Sequence, residues 1–521
     1  MKNFFLLSAL SLANLFSLSC LATTVSLNQY DRIYHAPVTW DRTVTEFKNV
    51  HAFTVLLDNG QLFSLGSPTY WLGLPELIQA PVVPKGRSVK EIFSSANSFT
   101  ALLDNNTMLC WSANGADVRV PFIARERKVC SIISNSSRFV ALLDNGRVVE
   151  WGDAETARDF YQQLPPTMSD NGLPVFTPLP IDSVPKSLSD LEDQGQKVIS
   201  VTSSWWAFAA VVINPDTAQQ TIISWENYDD IVTDSTGKEL NATIEIPAGI
   251  KVTSIAANDY AFAALLDNGT IKAWGDKNCG GEAPLFPSDK KIVSLAATNS
   301  AFTAIFEDGT MQSWGDQQSG GKTPLLPAGS TVTKIFASVF DFAALLSGGD
   351  HDGDILSWGC YSRSYYSRSE CQIIKVGMPI KSVVSNAYAF AAIRNDGSVI
   401  AWGEPHAGGD DSSLPPGKRV QSITPGITSF TALFEDGTIH SWGYDLGGEP
   451  TNMPADSQVV AITSTGDNYM GLLDNGSLFA WGSYISSTSD HTTLIELPKG
   501  TKALWMASPF EKYVLKPTSS Q

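Results

Sequence analysis

One unit repeated along the chain constrains the fold more than any other feature. Its clearest copy is Ala261-Phe262-Ala263-Ala264-Leu265-Leu266-Asp267-Asn268-Gly269-Thr270-Ile271-Lys272-Ala273-Trp274-Gly275. Ala301 to Gly315, Ala389 to Gly403 and Ser429 to Gly443 repeat it with little change, as do the earlier Ala52 to Gly66, Ser98 to Ser112 and Arg138 to Gly152 and the late Tyr469 to Gly482. Two copies diverge, Ala207 to Trp225 and Asp341 to Gly359, and a half copy at Lys502 to Lys516 keeps the Phe anchor, Phe510, without Trp-Gly. Asp-Asn-Gly between two β-rich runs supplies the positive φ and the side-chain-to-backbone hydrogen bonds of a tight hairpin turn. Further strand-like runs precede each hairpin, as in Lys291 to Ala297, and Gly-Gly with Pro follows, as in Gly280-Gly281 and Pro284. Each unit is therefore a small antiparallel sheet.

The strand Phe262 to Leu266 is apolar on both faces, so both faces must be covered. Sheets buried on two sides and repeated at about 40 residues pack face to face around an axis. The expected fold is all-β, a β-propeller of antiparallel blades. Counting anchor positions from Phe53 to Phe510, with Tyr469 among them, gives eleven, against the roughly 4–8 blades of common propellers. Two arrangements stay open: one large ring, closed by Arg32 to Trp40 completing the terminal half copy, or a seven-blade ring plus a smaller N-terminal array.

The Phe-Ala-Ala-Leu-Leu-Asp-Asn-Gly-Thr-Ile-Lys-Ala-Trp-Gly unit resembles the repeat of the regulator of chromosome condensation family, a β-propeller family. The resemblance runs from about residue 43 to 516. This chain has Gly280-Gly281, Gly408-Gly409 or Gly447-Gly448 where that family commonly has Gly-Gln-Leu-Gly, and its repeats are shorter. The resemblance implies a protein partner and, for some family members, guanine-nucleotide exchange on a small GTPase; no residue here is assigned to that activity.

The expected organisation is a signal peptide over 1–22, repeats 1–3 over 23–152, an irregular insertion over 153–196, a divergent repeat over 197–250 and regular repeats over 251–521. Lys2, the apolar run Phe4 to Leu18 and Cys20-Leu21-Ala22 before Thr23 read as a secretory signal. A lipoprotein processed at Cys20 is the alternative, although Ser17 stands where a large aliphatic residue is wanted. The chain is expected outside the cytoplasm, secreted or in the periplasm or cell envelope. No later run is long and apolar enough for a membrane helix. A net charge of −18 argues against nucleic acid as a partner.

Five cysteines remain after the signal. Cys360 and Cys371 flank a loop that a disulfide would close, and Cys110 and Cys130 lie on segments read as neighbouring strands. The unit tryptophans, Trp111, Trp151, Trp225, Trp274, Trp314, Trp358, Trp402, Trp442 and Trp481, share one position and read as blade core. Trp205 and Trp206 fall outside it and read as partner contacts, as do Phe160 and Tyr161 in the insertion, where a short helix from Asp153 to Tyr161 is expected. Asp350-His351-Asp352-Gly353-Asp354 is the densest acidic stretch, so Asp350, Asp352 and Asp354 are the calcium candidates, although the stretch does not match a helix-loop-helix calcium loop. The turn aspartates, such as Asp267 and Asp308, are expected to be spent on their own backbone. No other cofactor is indicated. The histidines show no ligand spacing and no catalytic motif is present, so the sequence reads as a binding scaffold and not an enzyme.

Overall fold

The computed structural model describes residues 52–66, 76–78, 80–95, 98–112, 118, 123, 127–152, 184–226, 240–359, 372–444, 457–466, 468–482, 492–507 and 512–514. Among these, thirty-five strands, β1 to β35 in chain order, form ten antiparallel sheets of three to five strands. Each repeat supplies strands a, b and c, and some a short outer strand d. In the fifth sheet these are Val252–Ala257, Ala261–Leu266 and Ile271–Gly275.

Strand b is buried along its whole length in five of the ten sheets, as in Ala261–Leu266 and Ser429–Phe434, and along nearly all of it in the others. Its alternate side chains serve two different interfaces. Phe262, Ala264 and Leu266 pack toward the fourth sheet, while Ala261, Ala263 and Leu265 pack toward the sixth. The same relation links every successive pair of sheets. It also links the tenth sheet, through Met470 and Leu472, to the first, through Phe53 and Val55. The ten sheets thus form one closed cycle of blades.

Closure is covalently split. The first blade consists of β1 (Ala52–Leu57), β2 (Leu62–Gly66) and β3 (Glu76–Ile78), and its strand a is β34 (Ala503–Ala507) from the other end of the repeat array. This selects the single ring over the seven-blade arrangement. The closing strands are β34 and β1; Arg32 to Trp40 lie outside the described residues.

The unit Trp side chains are core, between 0% and 7% exposed. Each indole stacks on the anchor aromatic of its own blade, with centroids 5.3 Å apart for Phe302 and Trp314 and 5.4 Å apart for Tyr469 and Trp481. Most of the indole N–H groups cross to the preceding blade. Trp274 donates to Ser224 Oγ at 2.9 Å, and Trp314, Trp358 and Trp442 donate to the carbonyls of Gly280, Gly320 and Gly408.

These last three contacts explain the Gly-Gly pairs. Gly280 has φ +92°, and a Cβ there would sit 2.7 Å from the Phe302 ring. A side chain at this position would pry two blades apart.

Every described a–b pairing carries one register shift near the start of strand a, at Val252/Ser254, Ile292/Ser294 and the equivalent places. A bulge there bends each inner strand where the blades converge.

The b–c turns divide the work of their first two residues. The second, Asn268 or Asp436, accepts from the N–H two residues on, at 3.1 and 3.0 Å. The first, such as Asp267, accepts from the Lys251 N–H at the start of strand a, at 3.1 Å. The turn carboxylates are spent as expected, but they occupy two unlike positions and form no single ring of equivalent acids.

Hydrogen bonds from Thr438 and Lys418 bring the Asp436 carboxyl down to about 2. Because the folded value lies below the ordinary unfolded value of about 3.9, the stabilisation is present above pH 4 and is lost as pH falls from there toward 2. The Lys418 pair at 2.9 Å is half exposed, so the effect is small. Asp436→Asn keeps the turn bond, as Asn268 does, and removes only the charge. The melting-temperature gap between wild type and this variant is expected to be present at pH 6 and to close steadily below pH 4; a gap independent of pH would exclude the charge as its cause.

Candidate interaction face

Strands a, b and c alternate in direction, so the a–b turns and the ends of strand c lie at one end of the ring. The tight b–c hairpins lie at the other. The long connections follow strand c: 67–75, 113–128, 153–185, 227–241, 359–371, 444–458 and 483–491. One end of the ring is regular and the other is built for variation, which is where binding residues concentrate on a rigid scaffold.

Most of the a–b turns at that end share one construction, while the ninth and tenth blades have Gly426 and Gly466 there. A polar residue closes strand a and its side chain accepts the N–H groups two and three residues on. Asn258 Oδ1 takes Tyr260 N and Ala261 N at 2.9 and 2.7 Å, Asn386 takes Tyr388 N and Ala389 N at 2.9 and 2.8 Å, and Ser204 takes Trp206 N and Ala207 N at 3.2 and 2.9 Å. Capping the turn this way pushes its two middle residues outward.

Backbone bonds then run from turn to turn across the blades. Ser136 N donates to Trp205 O, Asp259 N to Asn299 O, Asn299 N to Val339 O, Ala387 N to Ile427 O and Ile427 N to Gly466 O, at 2.9 to 3.3 Å. The turns form arcs of a hoop, which holds their side chains in fixed relation.

On this hoop the structure places Trp205 and Trp206, both half-buried, with ring centroids 6.0 Å apart in an edge-on arrangement. The turn position of Trp206 is filled by Tyr260, Phe340 and Tyr388 in other blades, also half-buried, and Phe340 and Tyr388 lie 5.3 Å apart. Sequence reading found the tryptophan pair and missed the other three. The signal was the residue immediately before the strand b pair, in Trp206-Ala207-Phe208, Tyr260-Ala261-Phe262, Phe340-Asp341-Phe342 and Tyr388-Ala389-Phe390. Half-buried aromatics on a rigid frame offer apolar area at little entropic cost, the chemistry of a protein contact surface.

Phe160, Tyr161, Cys360 and Cys371 lie outside the described residues, as do the signal segment with Cys20 and the helix expected from Asp153 to Tyr161. The connection that carries Phe160 and Tyr161 nonetheless leaves the third blade at this end and leads into the fourth, whose a–b turn holds Trp205 and Trp206. Within the insertion the described helix is α1 (Lys186–Asp193), where Leu188 is fully buried between the third and fourth blades and Glu192 Oε1 accepts from Val148 N at 2.9 Å. That part of the insertion is packed structure.

The pairing of Cys110 with Cys130 is corrected. Cys110 is a free thiol on strand c of the second blade, with Sγ 3.1 Å from Thr100 Oγ1, and burial pushes it up to about 12. Cys130 sits on strand a of the third blade and is held in another disulfide. The two strands are successive in sequence but belong to different sheets.

The acidic stretch is likewise spent. Asp352 Oδ1 accepts from Ser347 Oγ and Gly348 N at 3.1 and 2.8 Å, and Asp350 lies in a single helical turn. Asp354 accepts from Lys375 Nζ at 2.7 Å, His351 Nδ1 at 3.1 Å and Val376 N at 3.2 Å. Burial pushes its carboxyl up, but those three bonds outweigh it and hold it below the usual carboxylate range. Among the described residues no group of three or more His, Cys, Asp or Glu could hold a metal ion.

Comparison with known families decides what kind of unit this is. Residues 252–280, which run from strand a through the Gly280 turn, match the model described as regulator of chromosome condensation (RCC1) repeat. Residues 252–280 are thus similar to an RCC1-type repeat. The match covers one repeat; the other nine blades keep its strand order, and eight of them keep an anchor aromatic against a Trp, while the first has Leu65 opposite Phe53.

No curated protein sequence matches significantly. Similar solved structures include the ectodomain of the Arabidopsis thaliana receptor kinase ACR4, at 13% identity over 61% of this chain and 99% of that one, with a TM-score of 0.31. Another is that of the Physcomitrella patens receptor kinase CR4, at 15% identity over 59% and 90%, TM-score 0.30. A third is Prp20p of Saccharomyces cerevisiae, at 17% identity over 58% and 78%, TM-score 0.30.

Proposed function

We propose that this RCC1-type protein is an exported, non-catalytic scaffold that binds another protein through the end of the ring carrying the a–b turns and the long connections. The observation that carries this reading is the coincidence, at one end, of the aromatic turns Trp205-Trp206, Tyr260, Phe340 and Tyr388 with every long connection. The export signal read from residues 1–22 supports the compartment. No described helix is long and apolar enough to cross a membrane.

The test removes a connection without touching the ring. Deleting 159–181 and bridging the gap with a short Gly/Ser linker leaves α1 in place, so the melting temperature is expected to stay within a few degrees of wild type. Recovery of the partner in a pull-down is expected to fall at least about tenfold, the scale of losing one good anchor. Unchanged recovery with an intact ring would remove this connection from the docking site. Accelerated nucleotide release in a small-GTPase panel would replace the scaffold reading with an exchange factor.

A further inference from the structure

The repeat count and the blade count disagree by one: eleven aromatic anchors, ten described sheets. The half copy resolves the difference. In the β34–β1 pair the register is Leu57↔Ala503 and then Leu56↔Trp505 after the bulge, the same as Leu266↔Val252 and Leu265↔Ser254 in the fifth blade. β34 is therefore a true strand a, and β1 holds the place of its strand b. The second strand of the half copy finds that edge occupied. As β35 (Lys512–Val514) it folds back onto the opposite edge, with Ala507↔Lys512, Met506↔Tyr513 and Trp505↔Val514 paired.

That opposite edge faces the axis. Inner strands of successive blades lie beside one another, and in the nine other described sheets strand a is the last strand on the axial side. The first sheet alone has a strand beyond it. Nine blades do without such a cover, so the fold does not require β35, and its three pairs are near the shortest length of a strand. The bulged residue of β34 itself leaves apolar surface at this edge: Leu504 is 38% exposed.

We infer that the axial edge of β34 is a strand-acceptor site for an extended peptide segment of a protein partner, and that β35 is its intramolecular occupant and competitor. Strand addition takes its affinity from main-chain N–H and C=O groups, which a free inner edge presents in a row. The site is separate from the turn-and-connection end of the ring, and the inference stands whether or not a partner docks there.

The probe is a fluorescent synthetic peptide of residues 508–521, read by anisotropy against three proteins: the intact chain, a chain ending at Ala507, and the intact chain carrying Tyr513→Pro. Proline removes a ladder N–H and disfavours the tethered strand. A tethered strand acts at an effective concentration on the order of millimolar, so both altered proteins are expected to bind the peptide at least about tenfold tighter than the intact chain, and a scrambled peptide should not bind. Equal affinity for all three, or no binding to a variant that melts like the intact chain, would overturn the inference. If neither variant keeps the melting temperature of the intact chain, β35 is a structural strand and the inference also falls.

Discussion

Replacing Glu150 by Ala is expected to destabilise the ring by about 3–5 kcal/mol, the cost of breaking a buried ion pair by removing one member. Arg138 Nη1 lies 3.1 Å from Glu150 Oε1, with side chains 9% and 0% exposed. Glu150 Oε2 also accepts from the Trp225 indole of the next blade at 2.9 Å. The alanine variant would take the carboxylate from the Arg138 guanidinium and the acceptor from the Trp225 indole N–H at a blade interface.

Other blades show the alternative solution. The place of Glu150, one residue before the unit Trp, is held by Ser224, Ser313 or Ser441, and that of Arg138 by Ala301 or Ser429. Ser224 alone receives the Trp274 indole N–H. The double variant Arg138→Ser/Glu150→Ser is therefore expected to recover most of the loss, since exchanging both members of a buried pair is often near neutral. Chemical denaturation of the single and double variants checks this. A double variant no more stable than Glu150→Ala would show that the pair itself, and not the cost of an unbalanced buried charge, stabilises the interface of the third and fourth blades.

Trp314→Ala is expected to cost a similar amount, about 3–5 kcal/mol for emptying a buried aromatic site. Trp314 is 5% exposed, lies 5.3 Å from Phe302 centroid to centroid, and meets Phe286 edge-on at 5.5 Å. Its indole N–H also ties the sixth blade to the Gly280 carbonyl of the fifth at 2.9 Å. The loss thus falls on both the blade core and the seam between blades. Calorimetry should show the lowered transition, and partner recovery should drop only in proportion to unfolded protein. Tyr260→Ala is the matched contrast, because Tyr260 is half-buried on the turn hoop: a small change in stability with a larger one in binding is expected. Selective loss of binding in folded Trp314→Ala would mean that a contact residue had been read as core.

Much of the fold was legible because each repeat states its own local physics. Asp-Asn-Gly fixed the hairpins, the doubly apolar strand b required blades packed on both faces, and the constant place of Trp marked it as core. The helix Lys186–Asp193 was not legible, because its Pro- and Ser-rich surroundings mask a short amphipathic stretch whose Leu188 is held only by tertiary packing. The tryptophan pair stood out by falling outside the repeat, whereas Tyr260, Phe340 and Tyr388 were hidden inside it. Their shared end of the ring follows from strand direction, not from the spelling of any one unit.

The unit, its turns, its buried aromatics and the all-β class depend on neighbours within about 15 residues and are written in local runs of the chain. The number of blades that close the ring is not, because Ala503–Ala507 pairs with Ala52–Leu57 across almost the whole chain. The same closure pushed Lys512–Val514 to the axial edge. It also put Cys110 and Cys130 in different sheets despite their nearness in sequence. Pairing over such distances is set by which edges remain free once every other blade has formed, and no local run of residues records that.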